Sequence, residues 1–235
     1  MKNTRRRFTI LFLVVAMNAL IAGFTFPATA AVTSAQQGLV DAARVTFNNF
    51  MRAESMSWVR DHLHEAKGLL IIPSMLRGGF FLGGAGGRGV LLLRDSSTGQ
   101  WGQPAFYTIA SVNFGLLIGG EAAEVLMVIR TQAAVDRLLA SAFKFGGDLA
   151  ITVGPIGGGA KSSVMADVYS FALSKGLYVG ISMEGAFVKT RDDWNAAYYG
   201  RAVTPADILV LNAVSHPGAA ELRETLARAA VVNIK

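Results

Sequence analysis

Apolar residues recur every three or four positions in the segment after residue 32, and this spacing predicts an amphipathic helix. Polar residues occupy most of the intervening positions. Thr33 or Ser34 is placed to cap its first turn, and a second short helix is expected around Trp58 and Leu63. The apolar stripe of the first helix consists of Leu39, Val40, Ala43, Phe47, Phe50 and Met51.

Residues 68–187 follow a different pattern, in which apolar and small residues alternate. The alternation is clearest over 110–118 and 177–183, and a period of two predicts strands with one packed face. Turn-forming residues at 95–99 and 174–176 separate such runs. This arrangement predicts hairpins and antiparallel pairing.

Glycine is concentrated in the same region, where 21 of the 26 glycines lie between positions 78 and 185. Glycine weakens a strand, so its repeated use indicates tight bends, bulges or close backbone approach. A strongly bent sheet or a small barrel needs such features.

Four further helices complete the predicted architecture. Their starts are marked at Thr131, at Asp192 or Asp193, at Thr204-Pro205 and at Pro217. Gly200 is expected to end the second of them. No linker rich in proline, serine or charge divides the chain. The sequence therefore predicts one compact α+β domain, in which several helices pack a glycine-rich, strongly bent antiparallel sheet or small barrel.

The first thirty residues have the layout of a secretory signal peptide. Lys2 and Arg5–Arg7 precede an apolar run, and Ala28-Thr29-Ala30 supplies a small-x-small cleavage site. Cleavage there would leave residues 31–235 as one exported domain of the periplasm or cell envelope. A membrane anchor is the alternative, because the apolar run is nearly long enough to span a bilayer. The arginines fit the general secretory route and the twin-arginine route equally.

Composition narrows the function classes. Hydrophobic residues make up 52% and charged residues 16% of the chain, which excludes disorder for most of it. Cysteine is absent, which excludes disulfide scaffolds and thiol nucleophiles. The net charge is +6, but residues 1–30 hold four of the 22 basic residues and none of the 16 acidic ones. The remainder carries only +2, and its scattered cations argue against nucleic-acid binding.

Two glycine motifs fail as nucleotide sites. Residues 84–89 match the G-x-G-x-x-G pattern, but a strand pattern follows where the dinucleotide motif requires a helix. Residues 154–162 resemble a phosphate loop. In that segment Pro155 replaces the first required glycine and Ala160 precedes Lys161, so this match fails as well.

No set of catalytic or metal-binding residues emerges. His62 and His64 are two positions apart on a predicted helix, so they point in different directions and cannot readily share one metal. We therefore predict no enzyme activity, no metal and no cofactor. A hydrolase that uses Ser174 or Glu184 at an unrecognised site is kept as an alternative.

Five segments form a recognisable combination: 66–73, 99–104 (GQWGQP), 167–170 (DVYS), 174–185 (SKGLYVGISMEG), and Asn195 with Tyr198-Tyr199-Gly200. Together they resemble the SYLF domain family, over about Ala35 to Leu211. The resemblance implies a lipid-binding module without known catalytic residues. Eukaryotic members are similar domains of actin-patch and endocytic proteins that bind phosphoinositides. Bacterial members resemble exported single-domain proteins with a suspected phospholipid-binding role.

The expected function is that of an exported, non-enzymatic protein that binds anionic phospholipid or a membrane surface. A protein-protein interaction module of the cell envelope is the main alternative, and the oligomeric state is left open. The first helix could lie in a headgroup layer or pack on the sheet. The candidate lipid-binding residues are Arg44, Phe47, Phe50 and Arg52 on that helix, Arg77, Phe80, Phe81 and Arg88 near glycines, and Lys161 and Lys175.

Overall fold

The computed structural model describes residues 28–79, 82–114, 119–156 and 166–231. The chain divides into two units, Met1–Val32 and Thr33–Lys235, and every described strand lies in the second. The helices in the described part are α1 (Ala28–Arg52), α2 (Ser57–His62), α3 (Gln132–Leu138), α4 (Asp192–Tyr199), α5 (Pro205–Leu209) and α6 (Ala220–Ala230). Three short 3-10 helices span Glu54–Met56, Leu63–Glu65 and Pro217–Ala219.

The strands are β1 (Gly68–Gly79), β2 (Leu82–Leu93), β3 (Ala105–Phe114), β4 (Gly119–Ile129), β5 (Ala142–Lys144), β6 (Ile151–Val153), β7 (Val168–Ser174), β8 (Leu177–Tyr178) and β9 (Phe187–Thr190). They form one sheet in the order β5-β9-β3-β2-β1-β4-β7-β6, and β8 pairs with β7. The sheet is mixed, because β6 runs parallel to β7. It curls into a half-barrel that helices pack, which confirms the predicted α+β class.

A bulge divides the central strand β1 into two halves. The pairing of β1 with β2 changes register between Ile71 and Ser74, and its pairing with β4 changes between Ile72 and Met75. A bulge of this kind bends a strand and increases its twist. It therefore contributes to the curl that the glycine content predicted.

Both faces of the sheet are buried in the first half of β1, whereas the sequence pattern predicted one packed face. Leu69 and Ile71 lie on the face covered by α1, α2 and α6, which we call the outer face. Leu70 and Ile72 lie on the opposite, inner face, where α3 and α5 contribute to the core. Successive side chains of a strand point to opposite faces, so a run of four aliphatic residues serves two cores.

Several helix boundaries lie where local signals predicted them. The Thr131 side chain accepts a hydrogen bond from the backbone N–H of Ala134 at 3.1 Å. Thr204 and Asp207 form a capping box at the start of α5. Gly200 ends α4 with a left-handed φ of 70°, a conformation that favours glycine.

Other helix starts differ from prediction. Helix α1 begins at Ala28, so Thr33 and Ser34 lie inside it and do not cap it. Residues 1–27 of the predicted signal peptide lie outside the described residues. Helix α4 has Arg191 as its N-cap, and the two aspartates expected to cap it lie in its first turn. Their negative charges there stabilise the helix by interacting with its dipole.

The predicted hairpins form, but one predicted strand does not. Residues 95–99 lie between the antiparallel strands β2 and β3, and Lys175-Gly176 joins β7 to β8 with φ of 49° and 78°. The expected strand over 177–183 is wrong, because β8 ends at Tyr178. Ile181 and Met183 are nevertheless buried in the inner core, so the alternation marked burial without strand pairing. No helix in the described part of the chain is both long and apolar enough to cross a bilayer.

Candidate functional site

Beyond the bulge, the outer face of the sheet carries small and exposed apolar residues. Strand register aligns Ala122, Leu76, Gly86, Ala110 and Phe187 in one row across β4, β1, β2, β3 and β9. Leu76 is 63% exposed and Phe187 is 59% exposed. We call this row the outer strip: two exposed apolar side chains separated by a flat surface.

The neighbouring row is cationic. Arg88 pairs with Thr108 across β2 and β3, and Thr108 pairs with Lys189 of β9. The guanidinium carbons of Arg88 and Arg191 lie 5.1 Å and 4.9 Å from the ring centroid of Trp194. These are cation–π distances, so the indole at the start of α4 orients two arginines beside the strip.

Two shallow grooves follow this face and meet at Thr108 and Ala110, which line both of them. The larger, of about 660 Å³, separates the strip from the part of α1 that holds Ala35, Leu39 and Ala42. The smaller, of about 540 Å³, lies between β3, β9 and the first turn of α4. Together they border the outer strip from Leu76 to Phe187.

The charges around the strip are mostly positive. Arg191 donates two hydrogen bonds to Asp193, at 2.9 Å and 2.8 Å. This pairing lowers the pKa of Asp193 and raises the pKa of Arg191, so those two charges offset each other. Arg88 and Lys189 have no carboxylate partner within the described ranges. The Nζ atom of Lys144 lies 5.4 Å from the Phe187 ring centroid.

The glycines of β2 fall into two groups. A Cβ atom on Gly87 or Gly89 would come within 2.7 Å or 2.6 Å of the carbonyl oxygens of Ser74 and Ile71, so the bulge requires glycine at both positions. A Cβ atom on Gly84 or Gly86 would meet only a carbonyl oxygen at 3.7 Å, an ordinary contact. The fold therefore does not require glycine on the outer strip. Packing does not explain why the strip is flat, so we interpret the flatness as a feature of the exposed surface.

The predicted residues of the first helix divide between core and surface. Phe47 and Phe50 are completely buried, because the stripe of α1 packs on the outer face of the central strands. Of the two arrangements that the sequence left open, the structure has the helix packed on the sheet. Arg44 forms an ion pair with Glu221 of α6 at 3.2 Å, and Arg52 is exposed at the end of α1.

The remaining predicted residues do not form one cluster. Arg88 lies beside the outer strip, whereas Arg77 points to the inner face and lies 3.8 Å from Glu121. Lys175 is exposed in the β7–β8 turn. Phe80, Phe81 and Lys161 lie outside the described residues. Whether this set contacts lipid stays a prediction.

Sequence reasoning missed Leu76, Phe187, Lys189 and Trp194 as site residues. Phe187 and Lys189 reach the strip only through the pairing of β9 with β3, and no local signal announces that pairing. In the sequence Leu76 looks like any apolar strand residue. Only the structure shows that it lies beyond the bulge, where its side chain is exposed.

The motifs set aside from the sequence lie in structural roles. Residues 84–89 are part of β2, as expected from the strand pattern that follows them. His62 stacks on Trp58 with ring centroids 4.3 Å apart. Within the described residues, no group of three or more potential ligands could hold a metal ion. Residues 157–165, which include most of the phosphate-loop-like segment, lie outside the described residues.

The chain is an α+β domain whose curled sheet carries a flat apolar strip with a cationic margin. Residues 110–229, just over half of the chain, match the family model Ysc84, whose description is Las17-binding protein actin regulator. The chain belongs to the Ysc84 family, which is the SYLF family that its motifs resemble. The members are non-enzymatic regulators, so the chain is not an enzyme and the hydrolase alternative is dropped.

Several curated relatives are eukaryotic proteins. An SH3 domain-containing protein of Schizosaccharomyces pombe is 32% identical over 166 residues, covering 68% of this chain and 38% of the relative. LAS seventeen-binding protein 3 of Saccharomyces cerevisiae is 32% identical over 156 residues, covering 63% and 34%. SH3 domain-containing YSC84-like protein 1 of Bos taurus is 31% identical over 162 residues, covering 67% and 47%. The chain thus spans between a third and a half of the length of these relatives.

Proposed function

We propose that this protein binds anionic phospholipid membranes through the outer strip and its cationic margin. The observation that carries the proposal is the coincidence of three features on one face. Leu76 and Phe187 are exposed, Arg88 and Lys189 have no carboxylate partner among the described residues, and the fold does not require glycine at position 86. Peripheral membrane binding combines buried apolar area with about 1 kcal/mol for each cation near an anionic surface. The face offers both contributions.

The flat centre of the strip favours a planar partner. Small residues at Gly86 and Ala110 let a lipid headgroup layer approach the backbone closely, while Leu76 and Phe187 on either side of them extend into it. Trp194 has an apolar ring and a polar edge, which suits the boundary between water and lipid. Because the chain after residue 30 carries a net charge of only +2, attraction must come from where these cations lie.

Co-sedimentation with vesicles tests the proposal. Phosphatidylglycerol vesicles at low salt should bind the protein, and phosphatidylcholine vesicles should not. Replacing two cations by Arg88→Gln and Lys189→Gln should remove about 2 kcal/mol, which is roughly a 30-fold loss of affinity. Added NaCl should weaken binding of the unmodified protein, since it screens exposed charges.

The control pair Arg137→Gln and Arg228→Gln removes the same charge from α3 and α6, away from the strip. It should leave vesicle binding within about twofold of the original. An equal loss in both pairs, or no binding at low salt, would overturn the proposal. Lipid-independent capture of an envelope protein, abolished by Arg88→Gln and Lys189→Gln, would instead favour the interaction-module alternative.

We also propose export, with removal of residues 1–30 as a signal peptide and delivery to the periplasm or cell envelope. The proposal is supported by the basic, apolar and small-residue segments of the N-terminus. Intact-mass measurement of the protein from a cell-envelope fraction should give a chain that begins at Ala31. A chain that retains residues 1–30 would exclude cleavage and favour the anchor.

A further inference from the structure

A second cavity, of about 540 Å³, lies at the opposite ends of the central strands from the outer strip. Lys67 precedes β1, Arg94 follows β2 and Arg223 extends from α6, and all three line it. The GQWGQP motif contributes Gln100, Trp101, Gly102 and Gln103 to the same wall. One of the five segments that carry the family resemblance therefore lines this cavity.

The lining of this cavity has an excess of positive charge. Lys67, Arg94 and Arg223 have no ion-pair partner within the described part of the chain. Asp95 is the one carboxylate among the lining residues. It accepts hydrogen bonds from the backbone N–H groups of Ser97 and Thr98, and bonding to Ser97 and Thr98 lowers its pKa to about 2. The lining therefore carries three positive charges and one negative charge, and the Asp95 carboxylate already accepts hydrogen bonds within its own turn.

The two arginines are held in place by hydrogen bonds, and two buried N–H groups of the cavity lining lack partners among the described residues. Arg94 Nη1 donates to the His64 carbonyl at 2.9 Å, and Arg223 Nε donates to the Trp101 carbonyl at 2.8 Å. Trp101 is 2% exposed, and neither its Nε1 nor the buried Nε of Arg94 has a hydrogen-bond partner among the described residues. A buried N–H without a partner is costly. An acceptor bound in this cavity could relieve that cost by small side-chain shifts.

We infer that this cavity binds a soluble, phosphorylated small molecule. Two guanidinium groups and an ammonium group supply the donors that a phosphate prefers. Side chains of Gln100, Gln132 and Ser215 supply amide and hydroxyl groups for the polar remainder of the ligand. The volume lies within the range of small-molecule sites.

The position of the cavity separates this ligand from a membrane bound to the outer strip. Gly86 and Leu93 both belong to β2 and are seven residues apart, which is about 23 Å along a strand. Gly86 belongs to the outer strip, and Leu93 lines the cavity. The two sites can therefore be tested independently.

Isothermal titration of the full chain with inorganic phosphate and with ribose 5-phosphate tests the inference. Saturable binding is expected, with at least tenfold tighter binding of ribose 5-phosphate than of phosphate. In a parallel NMR titration, the indole N–H resonance of Trp101 should shift as ligand is added. The Trp101→Phe variant assigns that resonance. Arg94→Gln and Lys67→Gln should each weaken binding at least fivefold. Lys67 hydrogen-bonds its neighbours through its backbone, so this variant keeps the fold intact.

Arg223→Gln has a matched control in Arg228→Gln on the same helix. The first should weaken ribose 5-phosphate binding at least fivefold, and the second should leave it unchanged. Equal losses in both, an unmoved Trp101 resonance, or no saturable binding would overturn the inference.

Phosphatidylglycerol vesicles separate the two sources of phosphate. Arg94→Gln should leave vesicle binding unchanged, and Arg88→Gln should leave ribose 5-phosphate binding unchanged. If Arg94→Gln abolishes vesicle binding while Arg88→Gln does not, the cavity holds a lipid headgroup, and the assignment to a soluble ligand is wrong.

Discussion

The two halves of the long central strands share one hydrogen-bond ladder but differ in their side chains. In the covered half, residues 68–71 of β1 pair with residues 90–93 of β2, and aliphatic side chains fill cores on both faces. In the uncovered half, residues 74–79 pair with residues 83–88, and the residues on the outer face are small or exposed. The comparison shows that backbone pairing maintains the sheet geometry, while side-chain burial supplies most of the stability.

The bulge marks the boundary between the two halves. It lies between Ile71 and Met75, and Gly87 and Gly89 make room for its carbonyl groups on the neighbouring strand. Gly87 and Gly89 are therefore required by the fold at this boundary, whereas Gly86 beyond it shapes only the exposed surface.

The largest effect is expected in the covered half. Phe47→Ala removes a completely buried aromatic ring that packs on the outer face, so it should destabilise the protein by about 3–5 kcal/mol. Urea unfolding followed by circular dichroism measures this change. Leu76→Ala, in the uncovered half, should change the free energy of unfolding by less than about 0.5 kcal/mol. Similar losses for the two variants would contradict the division into halves.

At the boundary, Gly89→Ala should destabilise by about 3 kcal/mol, since its Cβ would lie 2.6 Å from the Ile71 carbonyl oxygen. Thermal unfolding should show a clearly lower midpoint. A midpoint equal to that of the unmodified protein would mean that the bulge shifts freely to admit a methyl group.

A smaller effect is expected where α1 contacts β4. Glu124 accepts hydrogen bonds from Thr46 Oγ1 at 2.9 Å and from Asn49 Nδ2 at 2.9 Å, and Thr46 is 1% exposed. Glu124→Ala would leave a buried donor without a partner, at a cost of about 2 kcal/mol. Urea unfolding measures the loss. Glu121→Ala, on the same strand but in the uncovered half, is the control and should cost less than about 0.5 kcal/mol.

The smallest effect is expected on the outer strip. Gly86→Ala places a methyl group in ordinary contact, 3.7 Å from a carbonyl oxygen, and removes the entropic cost of glycine in a strand. It should stabilise the protein by about 0.5 kcal/mol. Differential scanning calorimetry can detect the rise in midpoint. Destabilisation comparable to that of Gly89→Ala would show that glycine on the strip is structural after all.

Parts of this fold follow from local chemistry. The capping box of Thr204 and Asp207, the left-handed turn at Lys175-Gly176 and the helix end at Gly200 depend on residues within a few positions of one another. The strand over 177–183 did not form, because hydrophobic alternation also arises where a segment packs on a core without a strand partner.

The candidate site was less accessible from sequence. Arg88 was recognised as a cation near glycines, but its neighbours Lys189 and Trp194 come from distant segments. Phe47 and Phe50 have the spacing of a membrane-binding helix and of a core helix alike, since both require one apolar face.

The sequence by itself determined the α+β class, the capped helix starts, the hairpin turns and the glycine-rich bending of the sheet, because these depend on residue type and short spacing. Only the tertiary structure decided that α1 covers one half of the central strands and that β9 places Phe187 and Lys189 beside Leu76 and Arg88. It also brought Lys67, Arg94 and Arg223 to one cavity. The physical reason is that register and layer packing depend on contacts between distant segments, which no local pattern encodes.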